Sequence, residues 1–174
     1  MNDIIRNMLT RRSCKNYKSD MVPQELIDQI IEAGLYAPSG NNKQAAIVIA
    51  VTDRATRDRL SALNFKYDVK KRKDPFYNAP VVLCVLGDRS CPTCVYDGSL
   101  VMENMMLAAH SLGVDSCWIH RAKQVFDDPE GKEILKGLGI EGDFEGIGNC
   151  ILGYAADGMN RNDLPRKPGR VFRI

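Results

Sequence analysis

Residues 37–52 read Ala37-Pro38-Ser39-Gly40-Asn41-Asn42-Lys43-Gln44-Ala45-Ala46-Ile47-Val48-Ile49-Ala50-Val51-Thr52, and they set a helix stop, a polar loop and a strand in succession. Pro38 disfavours helical backbone at Ala37, so the preceding helix must end there. Ser39 to Asn42 are small and polar, a plain loop signal. Residues 46–52 are continuous and rich in β-branched side chains, the pattern of a strand buried on both faces. Working backwards, Pro23 suits a first helical turn, and Leu26, Ile27, Ile30, Ile31 and Leu35 recur at helical spacing behind it. Residues 3–12 likewise place Ile4, Ile5, Met8 and Leu9 on one helical face, with Asn2 or Asp3 as the N-cap.

Working forwards, residues 54–63 read as a helix and 64–78 as a charged, mobile surface segment. Residues 81–87 repeat the buried-strand pattern. Residues 98–112 form the most apolar helix, with Asp97 as N-cap and Gly113 as left-handed stop; apolar residues nearly all round mark it as central. Short strands follow at 115–119 and 147–154, with a helix over 129–138 between them, and the tail 170–174 alternates as a short strand would. Helices and strands mix without a strict βαβ repeat, which predicts an α+β layered fold. At 174 residues, the chain fits one domain spanning 1–174.

Composition removes several functional classes. A formal net charge of +2 predicts neither nucleic acid nor membrane as the main partner. The longest apolar runs are too short to span a bilayer, and the N-terminus lacks the charged and apolar regions of a secretory signal. Six cysteines without such a signal read as reduced thiols in a cytoplasmic protein. Cys91-Pro92-Thr93-Cys94 is a CxxC pair; no second pair at zinc-site spacing accompanies it, so metal is disfavoured, and a redox dithiol is the other chemical reading beside a structural one. Lys70-Lys71-Arg72-Lys73 reads as a solvated loop between Asp68 and Asp74, and His110 as a hydrogen-bonded helix residue. The glycines from 137 to 153 form no GxGxxG after a strand, so a Rossmann site is unsupported.

The chemistry concentrates at Arg11-Arg12-Ser13-Cys14-Lys15, where three cations flank one hydroxyl. A phosphate monoester carries close to two negative charges and several acceptor oxygens. Arginine offers it a planar fork of donors, and serine a short O–H. Taken alone, the same residues read more readily as a solvated basic helix end. The loop Ala37 to Gln44 adds backbone donors, a hydroxyl and side-chain amides suited to the polar edge of a ring.

Taken in order, Arg11 to Tyr17, Val22-Pro23 and Ala37 to Gln44 resemble the opening of the nitroreductase family. Asp97-Gly98-Ser99 before the apolar helix, Leu112-Gly113, Ser116-Cys117-Trp118-Ile119-His120 and Gly148 to Tyr154 resemble its compact members further along. The resemblance implies a central, mostly antiparallel sheet flanked by helices, and an intertwined homodimer with FMN at the interface. It implies that Arg11, Arg12, Ser13 and Lys15 hold the phosphate and ribityl chain, and that Pro38, Ser39, Gly40 and Asn42 reach the same flavin from the partner. Trp118, Ile119 and His120 would line the ring, partly through backbone N–H groups, with a tuning role open to His120. Arg166 and Lys167 would close over the phosphate. NADH or NADPH would give hydride to the flavin, which passes it in a ping-pong cycle to a small oxidant such as a nitroaromatic or quinone. No catalytic side chain and no metal are called for.

The sequence departs from the family at Lys15, where arginine is also common, and at Ala45-Ala46, where Pro-Trp often stands. The short 64–78 stretch leaves a substrate lid open to question. Two alternatives remain at this point: a flavin-binding sensor or carrier without turnover, and a CxxC thiol switch.

Overall fold

The computed structural model describes residues 1–159 and 165–174. In chain order these residues form α1 (Asp3–Thr10), α2 (Gln24–Leu35), a 3-10 turn (Gly40–Asn42), β1 (Ala46–Val51), α3 (Arg54–Tyr67) and β2 (Val81–Asp88). They continue through α4 (Cys94–Ser111), β3 (Asp115–Ile119), α5 (Ala122–Asp127), α6 (Pro129–Gly137) and β4 (Phe144–Gly153). The four strands lie in the order β1-β2-β4-β3, each pair antiparallel, which makes the fold α+β.

The period-2 geometry of β2 explains how one sheet supports two cores. Val82, Cys84 and Leu86 face a cluster built with Leu60 and Leu63 of α3 and Val125 and Phe126 of α5. Val81, Leu83 and Val85 face the opposite cluster, with Ile27 and Ile30 of α2 and Val101, Met102 and Met105 of α4. Each such side chain, fully buried, contributes about 1.5–3 kcal/mol. Helix α4 is central, and Gly113 follows it in left-handed backbone at φ 73°.

Several expectations need correction. Strand β1 is an edge strand, so residues 46–48 are only half-buried and Ala50 is exposed. Helix α4 begins four residues earlier than expected, with Thr93 as N-cap, because Asp97 accepts hydrogen bonds across the chain from Gly40 N–H and from Thr93. Helix α5 was not expected; it has six residues and no side-chain cap to announce it. The tail 170–174 pairs with no strand and is wholly exposed.

The segment 64–78 is fastened down by two aspartates. Asp68 accepts from the Lys70 and Arg72 amides and from Nε and Nη2 of Arg72. Asp74 accepts from Arg57 Nη2, Ser61 Oγ and the amides of Phe76 and Asn78, which pulls its carboxyl below the usual range despite partial burial. Its charge therefore serves internal turns more than solvation, and Phe76 enters the core.

Asp128 caps α6 and also accepts from Lys66 Nζ and Tyr67 Oη of α3, contacts that push its carboxyl down to about 2. A depressed carboxylate contributes stability above its unfolded value of 3.8 and loses it as pH falls through the folded value. Thermal melts should therefore weaken between about pH 4 and pH 2, and Asp128→Asn should lose less across that window.

Candidate functional site

The basic segment is placed by the free edge of β3. After α1 ends, Cys14 N–H bonds Ser116 O at 3.0 Å, and Ser13 bridges Ser116 in parallel register. Further on, Lys18 N–H bonds Tyr154 O, and Tyr17 bridges Ala155. The two bridges, parallel at Ser13 and antiparallel at Tyr17, sort the side chains between them. Cys14 and Tyr17 turn into the α3/α5 core, while Ser13 and Lys15 stay exposed and Arg11 and Arg12 half-buried.

The two arginines differ. Arg12 Nη1 donates to Leu9 O at 2.6 Å and to Arg11 O at 2.8 Å, satisfying carbonyls at the end of α1. Arg11 Nη1 is buried and has no hydrogen-bond partner among the described residues. A buried donor without an acceptor costs about 1–3 kcal/mol, so this nitrogen marks a place built for an acceptor from outside the chain. Cys117 reports on the same spot. Burial pushes its thiol up, while a hydrogen bond with Ser13 and the charges of Lys15, Arg11 and Arg72 pull it down. Arg72 lines the same cavity as Lys15, with its guanidinium held by Asp68 and Tyr77. This cavity measures about 850 Å3, and its walls include Lys15, Ser61, Phe65, Arg72 and Tyr77.

Trp118 and Ile119 point to opposite faces of β3. Trp118 is half-buried against the α2/α4 cluster, and Ile119 is buried in the α3/α5 cluster. Only backbone or an edge of these residues faces outward. His120 is exposed, and its carbonyl accepts from the buried Asn64 amide at 2.9 Å. Arg121, the next residue, adopts φ +84° and carries a buried Nε without a partner among the described residues. Neither Asn64 nor Arg121 stood out in the sequence, since a buried asparagine within a helix and a left-handed arginine leave no local signature.

The 37–44 loop lies over the start of α4. Gly40 N–H donates to Asp97 Oδ1 at 3.1 Å, and Gln44 N–H to Ser39 Oγ at 3.0 Å. Asn42 Oδ1 accepts from the Gln44 side chain at 3.0 Å, and Pro38 is exposed. Asn41 and Asn42 take left-handed φ values of 51° and 53°, which asparagine tolerates. Gly40 is required for space, because a Cβ there would sit 2.3 Å from Thr93 Oγ1. Gly40→Ala should cost about 1–3 kcal/mol in urea unfolding, and adding Thr93→Ala should return most of it.

Within one chain the two halves line different cavities. The cavities bordered by the loop contain none of residues 11–15, and the cavity beside Lys15 contains none of the loop. Arg166 and Lys167 are exposed on the tail.

Comparison with known proteins agrees with this layout. A family model described as the nitroreductase family matches residues 8–154. An Archaeoglobus fulgidus protein, whose name pairs NADH dehydrogenase with NAD(P)H nitroreductase, is 30% identical over 180 residues, covering 99% of this chain and 98% of that protein. A Methanothermobacter thermautotrophicus protein with the same paired name is 32% identical over 120 residues, covering 67% of this chain but 60% of that one. The crystal structure of a Bacteroides fragilis nitroreductase with bound FMN superposes with a TM-score of 0.92 at 28% identity, covering 100% of both chains. With the family model matched from α1 to the end of β4, the chain belongs to the nitroreductase family.

Proposed function

We propose that residues 1–174 form one FMN-binding unit that works as an NAD(P)H-dependent oxidoreductase, as a homodimer with the flavin at the interface, in the cytoplasm. The orphaned Arg11 Nη1 carries this reading, because it lies with Ser13 and Lys15 in the segment the family resemblance assigns to phosphate. The Bacteroides fragilis structure holds FMN, and the Archaeoglobus fulgidus relative is named for NAD(P)H chemistry. FMN, when bound, supplies the hydride transfer between NADH or NADPH and a small oxidant such as a nitroaromatic or quinone.

The chain's residues do the rest. Arg11, Ser13 and Lys15 supply donors and charge to the phosphate, each charge-assisted hydrogen bond contributing about 1.5–3 kcal/mol. Arg12 fixes the end of α1 so that Arg11 leaves it at a set angle. Trp118, Ile119 and His120 present backbone and ring edge to the flavin face, and Asn64 fixes the His120 carbonyl. Pro38, Ser39, Gly40 and Asn42 serve the partner's site. Arg166 and Lys167 on the exposed tail cover the phosphate.

A second copy is also favoured by α1. Its polar side grips α4, through Asn7 Nδ2 to Leu107 O and Thr10 Oγ1 to His110 Nε2, each 2.9 Å. Its apolar side, with Ile4, Ile5, Met8 and Leu9, is left exposed and no residue of α1 is buried. A contiguous apolar face of this kind marks an interface. Among the described residues no helix is long and apolar enough to cross a membrane.

Steady-state oxidation of NADH and NADPH by the FMN-loaded protein, with a quinone as acceptor, tests the reading. Turnover is expected. Tight FMN binding without turnover would mean a carrier, and would overturn the enzymatic part.

A further inference from the structure

We propose that Cys91 and Cys94 are a redox-active dithiol, and that its oxidation to a disulfide by a small-molecule disulfide loosens the 37–44 loop. Both thiols are free and buried, and they sit where the β2–α4 connection enters an 18-residue helix. Cys94 N–H bonds Cys91 O at 3.1 Å, which closes a four-residue turn. Such a turn holds its end Cα atoms within about 7 Å, the range a disulfide can bridge.

Asp97 joins this turn to the loop. Its Oδ1 accepts from Gly40 N–H at 3.1 Å, and its Oδ2 from Thr93 Oγ1 at 2.9 Å. Cys91 Sγ lies 3.9 Å from the same Oδ2 and 3.3 Å from Thr93 Oγ1. Thr93 in turn packs against Gly40. One buried carboxylate therefore holds the thiol turn and the loop together.

The two sulfurs have different roles. Cys91 borders a cavity of about 380 Å3 that it shares with Gly40, Asn41, Lys43 and Gln44, so an oxidant can reach it. Cys94 is fixed, because its Cβ and carbonyl press on Gly87 of β2, where a Cβ would come within 2.9 Å of each. Cys91 lines that cavity and Cys94 does not, which makes Cys91 the attacking group. Cys91 loses its proton and attacks one sulfur of the small disulfide, expelling a thiol. Cys94 then loses its proton and displaces the second thiol. Two cysteine thiols are oxidised by two electrons, and the oxidant leaves as two thiols. The new S–S bond draws Cys91 toward the fixed Cys94 and removes its S–H from Asp97 and Thr93, the pair that holds Gly40.

This chemistry stands apart from the flavin reading. The test treats the native full chain with oxidised glutathione, maps disulfides by mass spectrometry, and follows hydrogen exchange of residues 37–44 without added FMN. The expected result is a Cys91–Cys94 peptide lighter by two hydrogens, with Gly40 to Gln44 amides exchanging about tenfold faster, the loss of one hydrogen bond to a charged acceptor. Cys91→Ser and Cys94→Ser, each checked for a native melt, should abolish the response. Both thiols remaining free would overturn the proposal. So would a disulfide through Cys14, Cys84, Cys117 or Cys150, or a Cys91–Cys94 bond that leaves loop exchange unchanged. A protein that never binds FMN yet forms the bond and loosens the loop would refute the flavin reading and keep this one.

Discussion

Arg11→Met should weaken FMN binding about 10- to 100-fold while leaving the chain as stable as before, or more so. The affinity loss is that of one charge-assisted hydrogen bond, about 1.5–3 kcal/mol, at about 1.4 kcal/mol per factor of ten. The stability result follows from the orphaned Nη1. In the flavin-free chain this buried donor carries a desolvation cost with nothing to offset it, and methionine keeps the stem's packing without the charge. Arg12→Met should behave in the opposite sense. It strips two carbonyls at the end of α1 of their donor, so it should lower stability and change affinity less. Quenching of flavin fluorescence on titration with apo-protein, beside thermal melts of both variants, separates the two. An Arg11 variant with unchanged affinity and a lowered melting point would make Arg11 a structural residue.

Asp74→Ala should cost about 3–5 kcal/mol, because it strands the Arg57 guanidinium in the core. Arg57 is only 2% exposed, and Asp74 accepts from its Nη2, from Ser61 Oγ and from two backbone amides. Asp58 remains as a partner to Arg57 Nη1, and Ala79 O as an acceptor for Nε, which keeps the loss at the lower end. The Arg57→Met/Asp74→Ala double variant should lose less than the sum of the two singles, since it leaves no buried charge behind. Urea unfolding of the four proteins closes that cycle. Additive losses would show that the pair does not act as a unit.

These two residues show what local patterning reveals and what it hides. Strands β2 and β3 and helices α2 and α4 announce themselves through apolar period and length, which survive any tertiary arrangement. Asp68 and Asp74 look in sequence like solvated charge. Only the fold brings Arg57, seventeen residues away, and Ser61, thirteen away, onto the Asp74 carboxylate. Strand β1 misleads for a related reason. Its residues are as apolar as those of β2, but apolar content does not reveal which strand lies at the sheet edge.

The candidate site was legible as residue types and not as contacts. Arg11, Ser13, Lys15 and the loop from Pro38 to Asn42 stand out because cations, hydroxyls and turn residues cluster within a few positions. Asp97 was readable as polar at a helix start, yet its bond to Gly40 spans 57 positions and no periodicity foretells it. The same holds for Arg72 in one cavity with Lys15, and for Asn64 on the His120 carbonyl, 56 positions away. That the 11–15 cluster and the 37–44 loop line different cavities is likewise set by the fold. It is also the reason a second copy is central to the proposed site.

Sedimentation velocity of the FMN-loaded protein, followed at the flavin's visible absorbance, tests that point most directly. The account predicts that flavin travels with a species of twice the 19.4 kDa chain mass, at one FMN per chain. Flavin carried by a stable 19.4 kDa monomer, or a dimer that retains none, would contradict it.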